Sequence, residues 1–436
     1  MSLPESGRDR ERVLADLESR ADSDADWRNG RTWNLVYHAG EAVESLRNDA
    51  YELFASENAL NPGAFPSLGQ CEVDIVEMTT DLLSGSDGVV GNVTSGGTES
   101  ILLAVYTARE HARRERGITE SELFVPETAH PAWSKAGHYF GVDVIRTPVR
   151  EDRRADVDAV EAAVTDRTAM VVGSAPAYPH GVVDPIADLG RIAAANDMLC
   201  HVDACLGGFI LPFLRDLGHD FPAFDFSVPG VTSMSADPHK YGYAPKGSSV
   251  LLWRTPDIRL HQYFGFQDWH GGVYVAPNMQ GTRPGGPIAG TWAVMQYLGR
   301  DGYADLTATV MDTAETLRDR IEAIDGLSIV ANPDATVFAI ESTDPTLDVW
   351  AVHERLTADG WVLERQQQPP SIHLSVMPTH EPVVEEFCAD LEAAAEDARS
   401  ESGDSARAPM YGLSADLDSD EEIERAAERL LDSVFR

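Results

Sequence analysis

The chain has 436 residues, 43% of them hydrophobic, enough for one large core with a smaller second unit, which excludes collagen-like and disordered classes. Its 72 acidic residues against 34 basic ones give a formal net charge of −38, so nucleic acid is not an expected partner. Only three lysines occur, Lys135, Lys240 and Lys246, and acid excess with lysine depletion points to a cytosol of very high salt, whereas ordinary solubilising charge explains the sign alone.

The N-terminal stretch is polar, with no apolar segment of signal-peptide type, and no later run reaches the length of a bilayer span. A soluble, cytoplasmic protein is therefore expected. The helical pattern AGEAVESLRNDAYELFASEN, followed by NPGAFPSLG, forms an N-terminal helical arm over residues 1–69 that packs onto the main domain. From 70 to 302, helices alternate with the short apolar runs ELFV, VDVIRTPV, TAMVVGSA, MLCHVD and SSVLLW, the pattern of an α/β domain with a mostly parallel sheet. Beyond Tyr303 a long amphipathic helix precedes LSIV, TVFAIES, a helix, GWVLE, SIHLSVM and another helix, a smaller α+β domain over 303–436. RSESGDSARAP reads as a polar linker and DLDSDEEIERAAERLLDSVF as an acidic terminal helix with a solvated face. Cys71, Cys200, Cys205 and Cys388 have neither CxxC nor ligand spacing, so no disulfide, zinc or other metal is expected.

Four segments carry chemistry. In GNVTSGGTESILL, Gly96, Gly97 and Thr98 precede a helix with Glu99 in its first turn; free N–H groups and the dipole there suit a phosphate, and an ordinary capped helix start fits as well. His130 follows the strand ELFV after a short loop, at the same sheet edge as Asp203, and is either an acid-base group stacked on a cofactor ring or a structural histidine. MLCHVDACLGGF ends an apolar strand on Asp203, which either holds a protonated pyridine nitrogen or caps the next turn. SMSADPHKYGYAPKGSS sets Lys240 between His239 and Tyr241, with Tyr243 close by. This aromatic, partly desolvated setting lets a lysine lose its proton and attack an aldehyde. A surface lysine is the alternative, although two of the three lysines fall within seven residues here.

With these segments in order, the sequence resembles the pyridoxal-phosphate group II decarboxylase family of aspartate-aminotransferase fold, and its sphingosine-1-phosphate lyase branch most closely. The likeness spans most of the chain: VYHAGE, NALNPGAFPSLGQCE, VTSGGTESIL, PHGVVDPI, HVDACLGGF, SADPHKYGYAPKGSS, GGVYVAPNMQGTRPGG, PPSIH and MYGL. The resemblance implies pyridoxal 5'-phosphate as cofactor, Lys240 as its Schiff-base lysine, Asp203 against the ring nitrogen and His130 on the ring. It implies that Gly97, Thr98 and His239 hold the cofactor phosphate, with Gly281 and Thr282 of GTRPGG reaching it from the other subunit of a homodimer. Tyr37 and Lys246 match positions that face the substrate in the lyase branch. Pro238 stands where that branch usually has threonine, giving the DPHK spelling of amino-acid decarboxylases, and the membrane helix of the eukaryotic lyases has no counterpart in the sequence.

Three functions follow as expectations. The first is retro-aldol cleavage of a phosphorylated amino alcohol to an aldehyde and an amino-alcohol phosphate. The second is decarboxylation of an L-amino acid, which uses the same cofactor residues; Lys246 and Tyr37 distinguish the two, since only the first needs a group for a substrate phosphate. A non-catalytic protein of the same fold would betray itself by loss of Lys240 or Asp203, and both are present.

Overall fold

The computed structural model describes residues 2–400, 409–410, 413–414, 429 and 432. The expected linker and acidic terminal helix beyond Arg399 lie outside the described residues apart from those few.

Seven strands form the main sheet: β1 (Val90–Thr94), β2 (Glu122–Pro126), β3 (Asp143–Thr147), β4 (Thr168–Ser174), β5 (Leu199–Ala204), β6 (Ser233–Ala236) and β7 (Ser249–Trp253), in the order β1-β7-β6-β5-β4-β2-β3. β7 runs antiparallel to both its neighbours and every other pair is parallel. Strands β2, β4, β5, β6 and β7 are buried along their whole length, as a sheet covered by helices on both faces requires. This is the mostly parallel α/β sheet that the alternating apolar runs predict.

β1 and β6 do not stand out as apolar runs. In β6 the polar members are matched instead: His201 Nδ1 and Nε2 lie 2.9 and 3.2 Å from the hydroxyls of Ser233 and Ser235, so a polar pair is buried without loss. Parallel register sets Ser174, Asp203 and Ser235 side by side at the carboxyl ends of β4, β5 and β6. Ligands of open α/β sheets bind at that edge.

A hairpin of β8 (Phe264–Phe266) and β9 (Tyr274–Ala276) follows. The long helix begins at Gly285, well before Tyr303, and runs to Glu322 with a break at Gly299 (φ 54°, ψ −171°). Its start needs glycine, because a Cβ on Gly285 would lie 2.8 and 2.9 Å from the carbonyls of Phe54 and Glu57. The helix Glu41–Leu53 packs on it and so docks the arm. Ahead of that arm, Arg10–Ala21 is helical although the sequence there reads only as polar; it buries no residue.

A second, antiparallel sheet has the order β10 (Leu327–Ile329), β11 (Val337–Ser342), β13 (Pro370–Ser375), β12 (Glu364–Gln367). The expected strand GWVLE is displaced: the strand starts only at Glu364, and Trp361 is fully buried before it. Val362 donates to Arg31 O and accepts from Trp33 N, so this stretch pairs with the N-terminal arm instead. Among the described residues no helix is long and apolar enough to cross a membrane.

Candidate active site

The carboxyl edge of the main sheet opens into a cavity of about 410 Å³. β1 delivers the turn Ser95–Thr98, β2 leads to His130, β5 ends on Asp203 and β6 leads to Asp237, His239 and Lys240; all of these line the cavity, as do Tyr37 and Lys246. Nine of the eleven residues singled out from the sequence therefore meet in one place: Gly96, Gly97, Thr98, His130, Asp203, His239, Lys240, Tyr37 and Lys246. Gly281 and Thr282 do not. They are exposed, and Gly281 borders a separate cavity of about 690 Å³ beside the β8–β9 hairpin.

The helix Gly97–Glu115 starts at the cavity with no side-chain cap, and its N-cap Gly96 has φ +153°, a backbone conformation that favours glycine. A Cβ on Gly97 would sit 2.7 Å from Asp237 Oδ2 and 2.8 Å from Cys205 Sγ, so only glycine lets this helix start approach β6 so closely. The buried Glu99 carboxylate accepts from Ser95 N at 2.6 Å and Met279 N at 2.8 Å, fastening the turn to the segment that leads to Gly281.

Asp203 is buried and accepts from Trp133 Nε1 at 3.2 Å and Cys205 N at 3.2 Å, which fixes its carboxylate plane. His130 Nδ1 accepts from Ala132 N at 3.1 Å, so the neutral ring carries its proton on Nε2. Burial lowers the His130 pKa despite the nearby Asp203 charge. His239 is likewise neutral: burial takes its pKa down to about 4, against the pull of Asp237, and its Nδ1 accepts from Ser248 N.

Lys240 departs from expectation. Tyr241 and Tyr243 are buried in the core, and Tyr241 OH donates to Val376 O at 3.1 Å. The partner of Lys240 is Asp237, whose Oδ2 lies 3.0 Å from Nζ. Burial is the largest single effect and opposes the ammonium charge, but Asp237, the strongest of the opposing groups, together with Cys205, Tyr37 and Asp203 outweighs it and raises the lysine pKa above its ordinary value. The setting thus holds the proton on Lys240 instead of releasing it, and the sequence reading missed the acid three residues upstream that does so.

Lys246 is exposed at the mouth of the cavity. Its Nζ donates to His239 O at 3.2 Å and sits 4.8 Å from the centre of the Tyr37 ring. Desolvation of the ammonium and the nearby Lys240 charge lower its pKa to about 8. The wall facing the main sheet was also missed by sequence reading. It comprises Asn34, Ser375 and the pair Tyr178 OH to Glu364 Oε2, 2.6 Å apart; burial raises the pKa of Glu364.

A lysine, a fixed buried carboxylate, a neutral histidine ring and a bare helix start around one slot define a pyridoxal-phosphate-dependent enzyme. Residues 2–340 match the pyridoxal-dependent decarboxylase conserved domain, and the chain belongs to that family as a pyridoxal-phosphate-dependent lyase. Within it, the chain is similar to a sphingosine-1-phosphate lyase of Oryza sativa, 43% identical over 93% of this chain and 76% of that one. The sphingosine-1-phosphate lyase of Saccharomyces cerevisiae is 35% identical over 100% of this chain and 75% of its own. The solved sphingosine-1-phosphate lyase of Burkholderia pseudomallei superposes with a TM-score of 0.91 at 40% identity, covering 99% of this chain and 96% of that one. A glutamate decarboxylase of Lactobacillus brevis, 20% identical with a TM-score of 0.80 over 92% of this chain and 96% of its own, shares the fold. The residues present fit the cofactor: the uncapped, glycine-only helix start leaves both room and free N–H groups for a phosphate, and Lys240 and Asp203 line the same cavity.

Proposed function

We propose that the chain cleaves the carbon–carbon bond of a phosphorylated amino alcohol, releasing an aldehyde and an amino-alcohol phosphate. The observation that carries this reading is the meeting of Lys246 and Tyr37 at the mouth of the Lys240 cavity. A mobile ammonium with a phenol beside it suits a terminal phosphate. An unphosphorylated amino acid with a neutral side chain offers that cation only the carboxylate that would leave as carbon dioxide.

In this reading Lys240 holds the cofactor's aldehyde, Gly97, Thr98 and His239 hold its phosphate beside Gly96, His130 stacks on its ring and Asp203 keeps the ring nitrogen protonated. Pyridoxal phosphate, when bound, supplies the sink for the electron pair released as the bond beside the amine breaks. The rest is orientation by the protein. The hydroxyl-bearing carbon becomes the aldehyde carbon as its O–H proton leaves, and the amine-bearing carbon takes up a proton. Lys246 and Tyr37 would anchor the phosphate and so set which bond beside the amine, the carbon–carbon bond instead of a C–H or carboxyl bond, is presented for cleavage.

The working unit in this reading is a homodimer in a high-salt cytosol, with Gly281 and Thr282 completing the neighbour's phosphate site. Support comes from the hairpin, where Phe264, Phe266, Trp269, Val273 and Val275 are each about half exposed or more, an apolar surface suited to burial by a second copy. To test the activity, purified protein in high salt with added cofactor is offered a phosphorylated long-chain amino alcohol and a panel of amino acids, with aldehyde and carbon dioxide measured in parallel. Aldehyde release from the amino alcohol is expected. Carbon dioxide from an unphosphorylated amino acid with no aldehyde from the amino alcohol replaces the reading with a decarboxylase.

A further inference from the structure

The wall of the cavity opposite the main sheet holds polar groups with nothing to bond. Asn34 is 2% exposed, and neither its Oδ1 nor its Nδ2 has a hydrogen-bond partner among the described residues. Ser375 is 1% exposed and its hydroxyl is equally unpartnered. Both line the cavity that contains Lys240. The backbone sets them side by side: Ser375 ends β13 and its N–H donates to Trp33 O at 2.7 Å, directly before Asn34.

The turn that presents Asn34 is itself costly. Leu35 has φ +67°, and Val36 N donates to Asn34 O at 2.7 Å, a three-residue γ-turn of the strained hand on a branched side chain. Strain of this kind persists where its surroundings over-determine it, and here it holds Asn34 at the cavity wall three residues before Tyr37. An unpaired buried amide adds a further cost. A ligand that pairs both ends of the amide removes that second cost.

The chemistry of the pair narrows the ligand. An asparagine amide offers two donors and an acceptor, and a serine hydroxyl offers one donor and accepts as well. A phosphate accepts only and would leave Asn34 Oδ1 unpaired; an ammonium donates only and would leave Nδ2 unpaired. A hydroxyl both donates and accepts, so it satisfies both. The other polar groups of this wall, Tyr178 and Glu364, already bond each other at 2.6 Å.

We propose that Asn34 and Ser375 form a subsite that reads the substrate hydroxyl on the carbon next to the amine-bearing one, and thereby selects one diastereomer of a phosphorylated amino alcohol. The assignment rests on the lyase reading: with the amine at Lys240 and the phosphate at Lys246 and Tyr37, that hydroxyl is the polar group left for this wall. Both are positioning residues, since neither side chain takes the proton. A site built to bond a hydroxyl rejects the arrangement that misplaces it, because its own polar groups then stay unpaired.

The test compares the erythro and threo forms of a short-chain 2-amino-1,3-diol 1-phosphate, followed by aldehyde release, in wild type, Asn34→Leu and Ser375→Ala. Wild type is expected to favour one form. Asn34→Leu keeps the side-chain volume and should lower kcat/KM for the favoured form by about tenfold to a hundredfold while barely affecting the other, collapsing the preference. Ser375→Ala should do the same to a smaller degree. Calorimetry supplies a binding readout free of turnover: Asn34→Leu should weaken a phosphorylated 1,3-diol that lacks the amine, and leave its 3-deoxy counterpart unchanged. Visible absorbance of the loaded cofactor verifies that each variant holds it, and if Asn34→Leu does not, Ser375→Ala decides alone. A diastereomer preference and diol affinity that survive in the loaded variants overturn the subsite and leave the lyase reading standing. Failure of wild type to cleave either form, with carbon dioxide released from amino acids, overturns the lyase reading and the subsite with it.

Discussion

Asp237→Asn isolates what the carboxylate beside Lys240 does. The ammonium lies 3.0 Å from Asp237 Oδ2; Asp237 is almost wholly buried and the lysine side chain is 26% exposed. At an effective dielectric of about 20 the Coulomb attraction is about 5.5 kcal/mol, and the cost of keeping both charges out of water offsets part of it. Taking the low end for losing one partner of such a pair, about 3 kcal/mol, the lysine pKa should fall by about two units, which raises the free amine about a hundredfold at any pH well below its pKa. Stopped-flow absorbance after mixing cofactor-free protein with pyridoxal phosphate at neutral pH measures the attachment rate, which depends on that free amine. Asp237→Asn should therefore attach the cofactor faster than wild type at neutral pH, and its rate should level off at lower pH. A folded variant whose attachment rate and pH profile match wild type would show that Asp237 does not hold the proton on Lys240.

Lys246, with its pKa lowered to about 8, is charged below that pH and neutral above it, so kcat/KM for a phosphorylated substrate should fall about tenfold per unit beyond pH 8. Lys246→Arg should move that limb upward, and a limb that stays put removes Lys246 from phosphate binding. Gly97→Ala forces a methyl against Asp237 and Cys205 and should weaken cofactor affinity at least tenfold, read by absorbance titration; an unchanged dissociation constant contradicts the close approach. Refolding Lys240→Ala together with Gly281→Trp, each inactive alone, should recover activity up to about a quarter of wild type through one intact site per mixed dimer, whereas no recovery counts against sites shared between subunits. Lowering the salt should reduce the scattering mass or unfold the chain, because 72 acidic residues then repel unscreened; indifference to salt removes the high-salt reading.

The parts of the fold that were legible are those where burial is one-sided or complete. β2, β4, β5 and β7 are buried on both faces, which makes each a largely apolar run, β5 broken only by His201 and Asp203, and each was visible as such; β7 shows this although it runs antiparallel to its neighbours. β6 was not, because its buried serines satisfy His201 from the next strand, a pairing between residues more than thirty positions apart. GWVLE has strand composition, but Val362 spends its backbone groups on Arg31 and Trp33 at the far end of the chain. Composition records what a residue can do and not which distant backbone reaches it first.

The same distinction divides the active site. The wall on the main sheet comes from turns that immediately follow strands, where a glycine pair, an aspartate and a lysine stand out against apolar neighbours, so position along a strand already indicates position at the sheet edge. Even there the sign of the Lys240 environment escaped, since flanking tyrosines suggest desolvation whereas the acid at i−3, joined by Asp203 and other acidic groups from remote segments, reverses it. The opposite wall takes Asn34 from the arm, Tyr178 from the loop after β4, and Glu364 and Ser375 from the second sheet. No local pattern marks an asparagine as unpartnered, because that property depends on what three remote segments fail to offer it. Cofactor chemistry is anchored on one continuous sheet and can be read in order, while discrimination among substrates is assembled across the gap between two sheets and becomes visible only when the backbone closes it.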